Sequence, residues 1–189
     1  TALEETVSPR STAVGFFVDK EETDSDGNTG ATSTVLENFI KQLMRLSAVK
    51  TPVEEVLENA YSLSGDVTAA FNPNFPDPSD KTNASFLGHG VSVEKYGGGG
   101  GKYSTNDASS EFMSWLIGIL EKDNVCWQTG ELGKIDKGGG GTIAKYMSIL
   151  GMECIDVGPS LLSMHSNAEL SSKVDIYHTY KAYKAFLKS

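Results

Sequence analysis

The sequence predicts an α/β fold with a mostly parallel central sheet that is covered by helices on both faces. Short apolar runs of the length of a buried strand recur along the chain. Most of them are followed by a segment with apolar residues at helical spacing. An alternation of this kind is folded most economically as parallel strands that are joined by helical connections.

Five segments show the strand pattern. The first is continuously apolar and is expected to be buried on both faces, whereas the third alternates like an exposed or edge strand. The fifth is expected to be the last strand of the chain. In chain order, the predicted strands are 14–18, 60–66, 90–96, 124–128 and 152–157.

Helical patterns lie between and after these strands. Thr51 and Pro52 have the residue types of an N-cap and a first helical position, and a further helix start is predicted near Ser104. The amphipathic stretches are 35–46, 51–59, 112–120, 142–147 and 174–187.

The composition excludes several classes of partner and bounds the compartment. A formal charge of −9 argues against a nucleic-acid partner or an anionic membrane, since both require a basic surface. No apolar run approaches the roughly 18 residues that cross a bilayer. Cys126 and Cys154 have no CxxC spacing, so we expect buried free thiols in a reducing compartment and a cytoplasmic protein.

Two glycine runs interrupt the chain. The run 97–101 is typical of a flexible linker or hairpin tip, and it lacks the Lys-Ser/Thr of a phosphate-binding loop. The run 138–141 precedes a helix. It indicates either a tight strand-to-helix turn or a close approach to substrate or to a neighbouring loop of the site.

Polar residues directly follow three of the predicted strands. In open α/β sheets, ligands bind in the crevice beyond the carboxyl ends of the strands, which is where these residues are expected to lie. An acidic loop with Glu21 and Glu22 follows the first strand, Asp66 follows the second, and His165 follows the last. Carboxylates and imidazole are zinc ligands, so the three segments together indicate a metal crevice. The alternative is a solvated acidic turn, and His89 and His178 are interpreted as structural.

Four segments resemble the aspartyl aminopeptidase and aminopeptidase I family of di-zinc exopeptidases. They match in order along nearly the whole chain, and the Lys95-Tyr96-Gly97 run with the following Ser-Thr-Asn-Asp-Ala resembles the bacterial type. The four segments are Val18-Asp-Lys-Glu-Glu-Thr-Asp-Ser-Asp-Gly-Asn-Thr-Gly, Ser64-Gly-Asp-Val-Thr-Ala-Ala-Phe-Asn-Pro-Asn, Lys137-Gly-Gly-Gly-Gly-Thr and Leu162-Ser-Met-His-Ser.

The resemblance implies a role for each matching residue. Glu21 is expected to be the general base. Glu22 and His165 are expected to bind one zinc ion and Asp66 the other. Lys102 and Tyr103 are weaker candidates for shaping the substrate pocket.

The same resemblance shows what the chain lacks. A histidine and a metal-bridging aspartate of the family site precede the glutamate pair, and nothing before Thr12 supplies them. The inserted domain that shapes the family's pocket and oligomer is also missing. Residues 1–189 are therefore expected to be the carboxyl-terminal portion of a catalytic domain, and to be inactive alone.

The expected function is release of single N-terminal residues from peptides, with acidic residues preferred, by a homo-oligomer with two zinc ions per complete subunit. One alternative is a non-catalytic assembly or cargo subunit that keeps the fold without working metals. A weaker one is a related aminopeptidase with a preference for neutral residues. Metal content and a substrate panel separate these possibilities.

Overall fold

The computed structural model describes residues 1–100, 103–134 and 136–189. The described ranges contain one short 3-10 helix, Glu21–Thr23, together with five α-helices and seven strands. The helices are α1 (Val35–Leu46), α2 (Val53–Glu58), α3 (Ser110–Lys122), α4 (Ala144–Ile149) and α5 (Lys173–Lys188). The strands are β1 (Tyr61–Ser64), β2 (Thr68–Ala69), β3 (Val91–Glu94), β4 (Trp127–Thr129), β5 (Glu153–Gly158), β6 (Ser160–Leu162) and β7 (Leu170–Ser171).

Four strands form the central sheet in the order β1-β5-β3-β4. The pairs β1–β5 and β3–β4 are parallel, and β3–β5 is antiparallel. A second sheet has the order β2-β6-β7, with a parallel and then an antiparallel pair. Three of the five strand pairs are therefore parallel, and the predicted α/β class is confirmed.

Helices cover both faces of the central sheet. Successive side chains of a strand point to opposite faces, so the apolar residues on each face pack against a separate set of helices. Ile155 and Val157 of β5 pack into a core with residues of α3 and α5. Cys154, on the opposite face of the same strand, packs into a second core with residues of α4 and with Leu36 of α1. The layers predicted from the sequence are thus present.

The chain leaves the central sheet at two adjacent points and continues into the second sheet. Strand β2 follows β1 after three residues, and β6 follows β5 after Pro159 alone. The backbones pass so closely that a Cβ atom on Gly158 would lie 1.5 Å from the carbonyl oxygen of Asp66. Only glycine fits there, and the contact places the carboxyl ends of β1 and β5 side by side.

The predicted strand over residues 14–18 is wrong. Residues 14–18 form no strand, and Phe17 is 91% exposed. A strand is stable only when a neighbouring strand pairs its N–H and C=O groups, and among the described residues no strand of either sheet pairs with this segment. Phe16 and Val18 nevertheless pack against the second core, as an apolar segment should.

Three smaller expectations also require correction. Strand β3 is internal and buried along its whole length rather than an exposed or edge strand. Strand β5 is followed by β6 and β7, so it is not the last. Cys154 is a buried free thiol as expected, whereas the free thiol Cys126 is exposed.

Among the described residues, no helix is long and apolar enough to cross a membrane.

Candidate active site

A cavity of about 230 Å³ opens where β1 and β5 end. It contains all four of the predicted catalytic and metal-binding residues, which come from three distant parts of the sequence. Its lining residues are Glu21, Glu22, Asp66, Val67, Thr68, Ser92, Glu94, Leu132, Gly140, Gly141, Thr142, Asp156, Val157, Gly158, Met164, His165 and Glu169.

The glutamate pair lies in the short 3-10 helix, which is held in a tight loop. Lys20 and Asp24, on either side of it, adopt left-handed backbone conformations with φ of 64° and 60°. The loop is closed by a hydrogen bond of 2.9 Å from the Ser25 N–H to the Lys20 carbonyl. The Tyr146 hydroxyl also donates to the Asp24 carbonyl, at 3.1 Å. These contacts fix both glutamates at the edge of the cavity.

His165 is presented by the loop between β6 and β7. Its backbone is left-handed, with φ of 63°, and its N–H donates to Glu169 Oε1 at 2.7 Å. The imidazole Nε2 lies 3.3 Å from Glu22 Oε1. The two side chains, predicted to bind the same metal ion, therefore meet at the rim of the cavity.

Asp66 extends from the turn between β1 and β2, and its Oδ1 accepts a hydrogen bond of 2.7 Å from the Val67 N–H. Burial raises the pKa of this carboxyl, and the charge of Glu22 adds to the effect. Burial likewise raises the pKa of Glu21, with contributions from the charges of Asp66 and Glu22. The carboxylates crowd one another, as expected of a site that takes a cation.

Two further acidic residues line the inner wall of the cavity and were missed in the sequence. Glu94 of β3 and Asp156 of β5 are paired across the sheet, and they are 7% and 4% exposed. Burial raises the pKa of Glu94 to about 7 and that of Asp156 to about 6. The only signal in the sequence is a lone aspartate inside an apolar strand.

The two glycine runs lie against each other beside the cavity. Gly98 donates its N–H to the carbonyl of Gly140 at 2.9 Å. Gly139, with φ of 102°, lies so close that a Cβ atom there would be 2.0 Å from the carbonyl oxygen of Gly98. Of the two interpretations of the second run, close approach to a neighbouring loop of the site agrees with this geometry.

Of the two predicted pocket-shaping residues, only Tyr103 lies in the described part of the chain, and it is not brought to the cavity. Tyr103 is 76% exposed and is not among the lining residues. Its carbonyl instead accepts a hydrogen bond of 2.8 Å from Gly99. Lys102 lies outside the described residues. His178 has a structural role, as expected, because its Nδ1 accepts the Cys126 N–H at 2.9 Å.

The donors present suit zinc in type but not in number. Carboxylate and imidazole are zinc ligands, and Glu22 and His165 face each other at close range. Within residues 1–100, 103–134 and 136–189, no group of three or more His, Cys, Asp or Glu side chains lies close enough together to hold a metal ion. Two donors meet at one position, with Asp66 as a separate candidate.

Comparison with known proteins gives a family match along the chain. The model of the aminopeptidase I zinc metalloprotease family, M18, matches residues 1–187. A probable M18 family aminopeptidase 1 of Thermotoga maritima is 47% identical over 176 residues, which are 92% of this chain and 39% of that protein. A homologue of the same description from Borreliella burgdorferi is 44% identical over an alignment of 190 positions, which covers 98% of this chain and 41% of that protein.

Solved structures give the same result. The M18 aminopeptidase of Thermotoga maritima superimposes with a TM-score of 0.87 at 47% identity, over 91% of this chain and 39% of that one. Aminopeptidase I of Clostridium acetobutylicum gives 0.82 at 46% identity, over 91% and 37%. The chain spans about two fifths of the length of these relatives. The chain therefore belongs to the aminopeptidase I zinc metalloprotease family, M18.

Proposed function

We propose that the protein containing this chain is a zinc-dependent aminopeptidase that releases single N-terminal residues from peptides. The observation that supports this most strongly is the convergence of Glu21, Glu22, Asp66 and His165 on one cavity. Family membership supports the reaction class. The chain covers only part of its relatives, so the activity is proposed for the whole protein.

Glu22 and His165 would hold one zinc ion, and Asp66 would contribute to the second. The fit rests on the donor types, on the 3.3 Å approach of Glu22 to His165, and on the raised pKa values of Asp66 and Glu21. Zinc, when bound, lowers the pKa of water towards neutrality and polarises the scissile carbonyl. The family resemblance implies two further ligands, a histidine and a bridging aspartate.

Glu21 is proposed as the general base. Its carboxylate accepts the proton of the attacking water and then donates it to the nitrogen of the leaving amine. Burial raises its pKa, and a base whose pKa is raised towards neutrality holds the transferred proton more readily. Glu22, its neighbour, points to His165 and leaves Glu21 free for this role.

The preference for a particular N-terminal residue of the substrate is a separate and more specific proposal. The resemblance implies Asp or Glu, whose side-chain carboxylate needs a cationic partner. Among the described residues, no Lys or Arg lines the cavity. Lys102, the cation predicted from the sequence, lies outside these residues, so acidic specificity depends on it or on groups beyond this chain.

Assembly and compartment are also proposals. A yeast relative, 25% identical with a TM-score of 0.70, is described as a dodecamer, which supports a homo-oligomer here. A cytoplasmic location remains a prediction from the cysteine pattern.

The proposal is tested on the full-length protein by measuring zinc per subunit together with hydrolysis of aminoacyl p-nitroanilides that carry Asp, Glu, Leu or Lys. We expect about two zinc ions per subunit and turnover of unblocked substrates, with none of N-acetylated ones. Absence of both metal and turnover would instead support the non-catalytic assembly or cargo subunit that retains the peptidase fold.

A further inference from the structure

The direction in which the His165 imidazole points is set by its backbone rather than by packing. Its side chain is 71% exposed, and the contact that the ring makes among the described residues is the 3.3 Å approach to Glu22. The residues that follow it in the same loop, 166–169, are exposed as well. The position of the imidazole therefore depends on the conformation of the loop that carries it.

The conformation of this loop is unusual for residues other than glycine. Ser163 and His165 both have left-handed backbones, with φ of 63° at each. Few residues other than glycine adopt this conformation, and those that do so are held there by surrounding contacts. The loop should therefore contain a contact that keeps His165 in its left-handed state.

Three sets of hydrogen bonds hold the loop. The Ser166 hydroxyl donates to the Ala168 carbonyl at 2.8 Å and accepts the Ala168 N–H at 3.2 Å. The Ser166 N–H donates to the Ser163 carbonyl at 3.0 Å. The His165 N–H donates to Glu169 Oε1 at 2.7 Å. Among the described residues, only this last bond fixes the backbone of His165 itself.

Glu169 is well placed to hold the loop because it directly precedes a strand. Leu170, the first residue of β7, is paired with Leu162, the last residue of β6. The Ser171 hydroxyl also donates to the Ser160 carbonyl of β6 at 2.9 Å. The backbone beside Glu169 is thus anchored by the second sheet, and its carboxylate reaches back across the loop. A carboxylate also accepts a stronger hydrogen bond from a backbone N–H than a neutral oxygen does.

We propose that Glu169 is a positioning residue for zinc binding. By accepting the backbone N–H of His165, it holds the loop in the left-handed conformation that turns the imidazole towards Glu22. The inference rests on the proposed zinc aminopeptidase function. It concerns the zinc ion that is proposed for Glu22 and His165, since Asp66 is carried by a different turn, between β1 and β2.

The competing interpretation is that Glu169 is itself a zinc ligand, because it also lines the cavity. The two roles require different chemistry. A positioning residue needs only a side-chain oxygen that accepts the His165 N–H, and glutamine also offers one. A zinc ligand needs the negative charge of a carboxylate, which glutamine lacks. Glu169→Gln therefore separates the two roles, whereas Glu169→Ala removes both.

The experiment measures zinc binding to the full-length protein by competition with a chromophoric chelator. We expect Glu169→Ala to weaken one of the two zinc sites by roughly 10- to 100-fold, the range for loss of a group that orients a metal ligand. The other site should keep its wild-type affinity. Glu169→Gln should bind both ions almost as tightly as the wild type, and both variants should fold because Glu169 is exposed.

Asn167→Ala is the matched control. Asn167 is exposed in the same loop, and its side chain makes no hydrogen bond among the described residues. Activity at saturating zinc is a second readout. With both sites filled, kcat/KM of Glu169→Ala should return close to the wild-type value, because the bound metal then holds the imidazole in place.

The possible outcomes separate this inference from the proposed function. Equal zinc affinity of the wild type and Glu169→Ala would overturn the inference and leave the proposed function intact. An equal loss in Glu169→Gln and Glu169→Ala would assign Glu169 as a ligand and would also overturn it. Low activity of Glu169→Ala with both sites filled would mean that Glu169 contacts the reacting groups, with the same result. A wild-type protein that binds no zinc would overturn the proposed function and this inference with it.

Discussion

The two faces of the central sheet use the same strands for different purposes. On one face, Val91, Val93, Ile155 and Val157 are completely buried in the core with α3 and α5. On the other, Ser92, Glu94 and Asp156 alternate with these residues and line the cavity. Because neighbouring residues of a strand point to opposite faces, stability and binding are assigned to alternate positions of the same segments.

The comparison shows why buried polar groups are concentrated on one side. The strand residues that enter the first core, Val91, Val93, Ile155 and Val157, are apolar groups that gain from leaving water. The polar face contains buried carboxyls whose burial is unfavourable when they are ionised. Changes on the first face should therefore alter stability alone, whereas changes around the cavity should alter chemistry and can even increase stability.

The largest effect is expected from Glu21→Gln in the full-length protein. The amide cannot accept the proton of the attacking water, so kcat should fall on the order of 100- to 10,000-fold. Zinc content and thermal stability should stay close to wild type, because Glu21 is not among the proposed ligands. Full activity in this variant would remove Glu21 from the role of base.

A change of intermediate size is expected on the apolar face. Leu116 of α3 is completely buried in the first core, away from the cavity. Leu116→Ala should lower the free energy of unfolding by roughly 2–5 kcal/mol, through lost burial and the cavity that it leaves. Urea denaturation measures this, and zinc content of the folded fraction is the control. Loss of zinc from well-folded Leu116→Ala would mean that the two faces are coupled.

The smallest effect is expected from Glu94→Gln. This substitution should increase the free energy of unfolding, whereas Leu116→Ala should lower it. Burial raises the pKa of Glu94 from 4.5 to about 7 in the folded protein. Below pH 4.5 the carboxyl is protonated in the folded and unfolded states, so the substitution should change stability little. Above pH 7 it is ionised in both states and its burial is costly, so the substitution should stabilise by on the order of 2 kcal/mol.

Thermal unfolding of the metal-free protein at pH 4 and pH 8 measures this difference. Glu111→Gln supplies the matched control, since Glu111 is exposed. A Glu94→Gln variant that is less stable than wild type at pH 8 would show that the carboxylate is favourably paired, contrary to the account given above.

The sequence was sufficient to predict the layered fold and the convergence of four candidate residues on one cavity. Asp66 and His165 were found because each follows a strand, and Glu21 and Glu22 because an acidic loop follows an apolar run. The roles of these residues came from the family resemblance rather than from spacing. Their meeting in one cavity agrees with the general placement of ligand sites at carboxyl ends of strands.

The errors have physical causes. The apolar run 14–18 has strand composition, but a strand also requires a neighbour, and composition does not report one. Glu94 was interpreted as part of an exposed alternating strand because alternation does not distinguish solvent from a polar cavity. Asp156 lies in an apolar run, where its carboxyl gives no periodic signal. A lone acid in a strand of this kind is worth treating as a site candidate.

The central claim is that Glu22, His165 and Asp66 bind zinc beside Glu21. Its most direct test is a crystal structure of the full-length protein grown with zinc, with anomalous scattering data collected at the zinc absorption edge. The account predicts one peak about 2.0–2.2 Å from Glu22 and His165 and a second within the same range of Asp66. Zinc peaks bound elsewhere, with these three side chains uncoordinated, would contradict it.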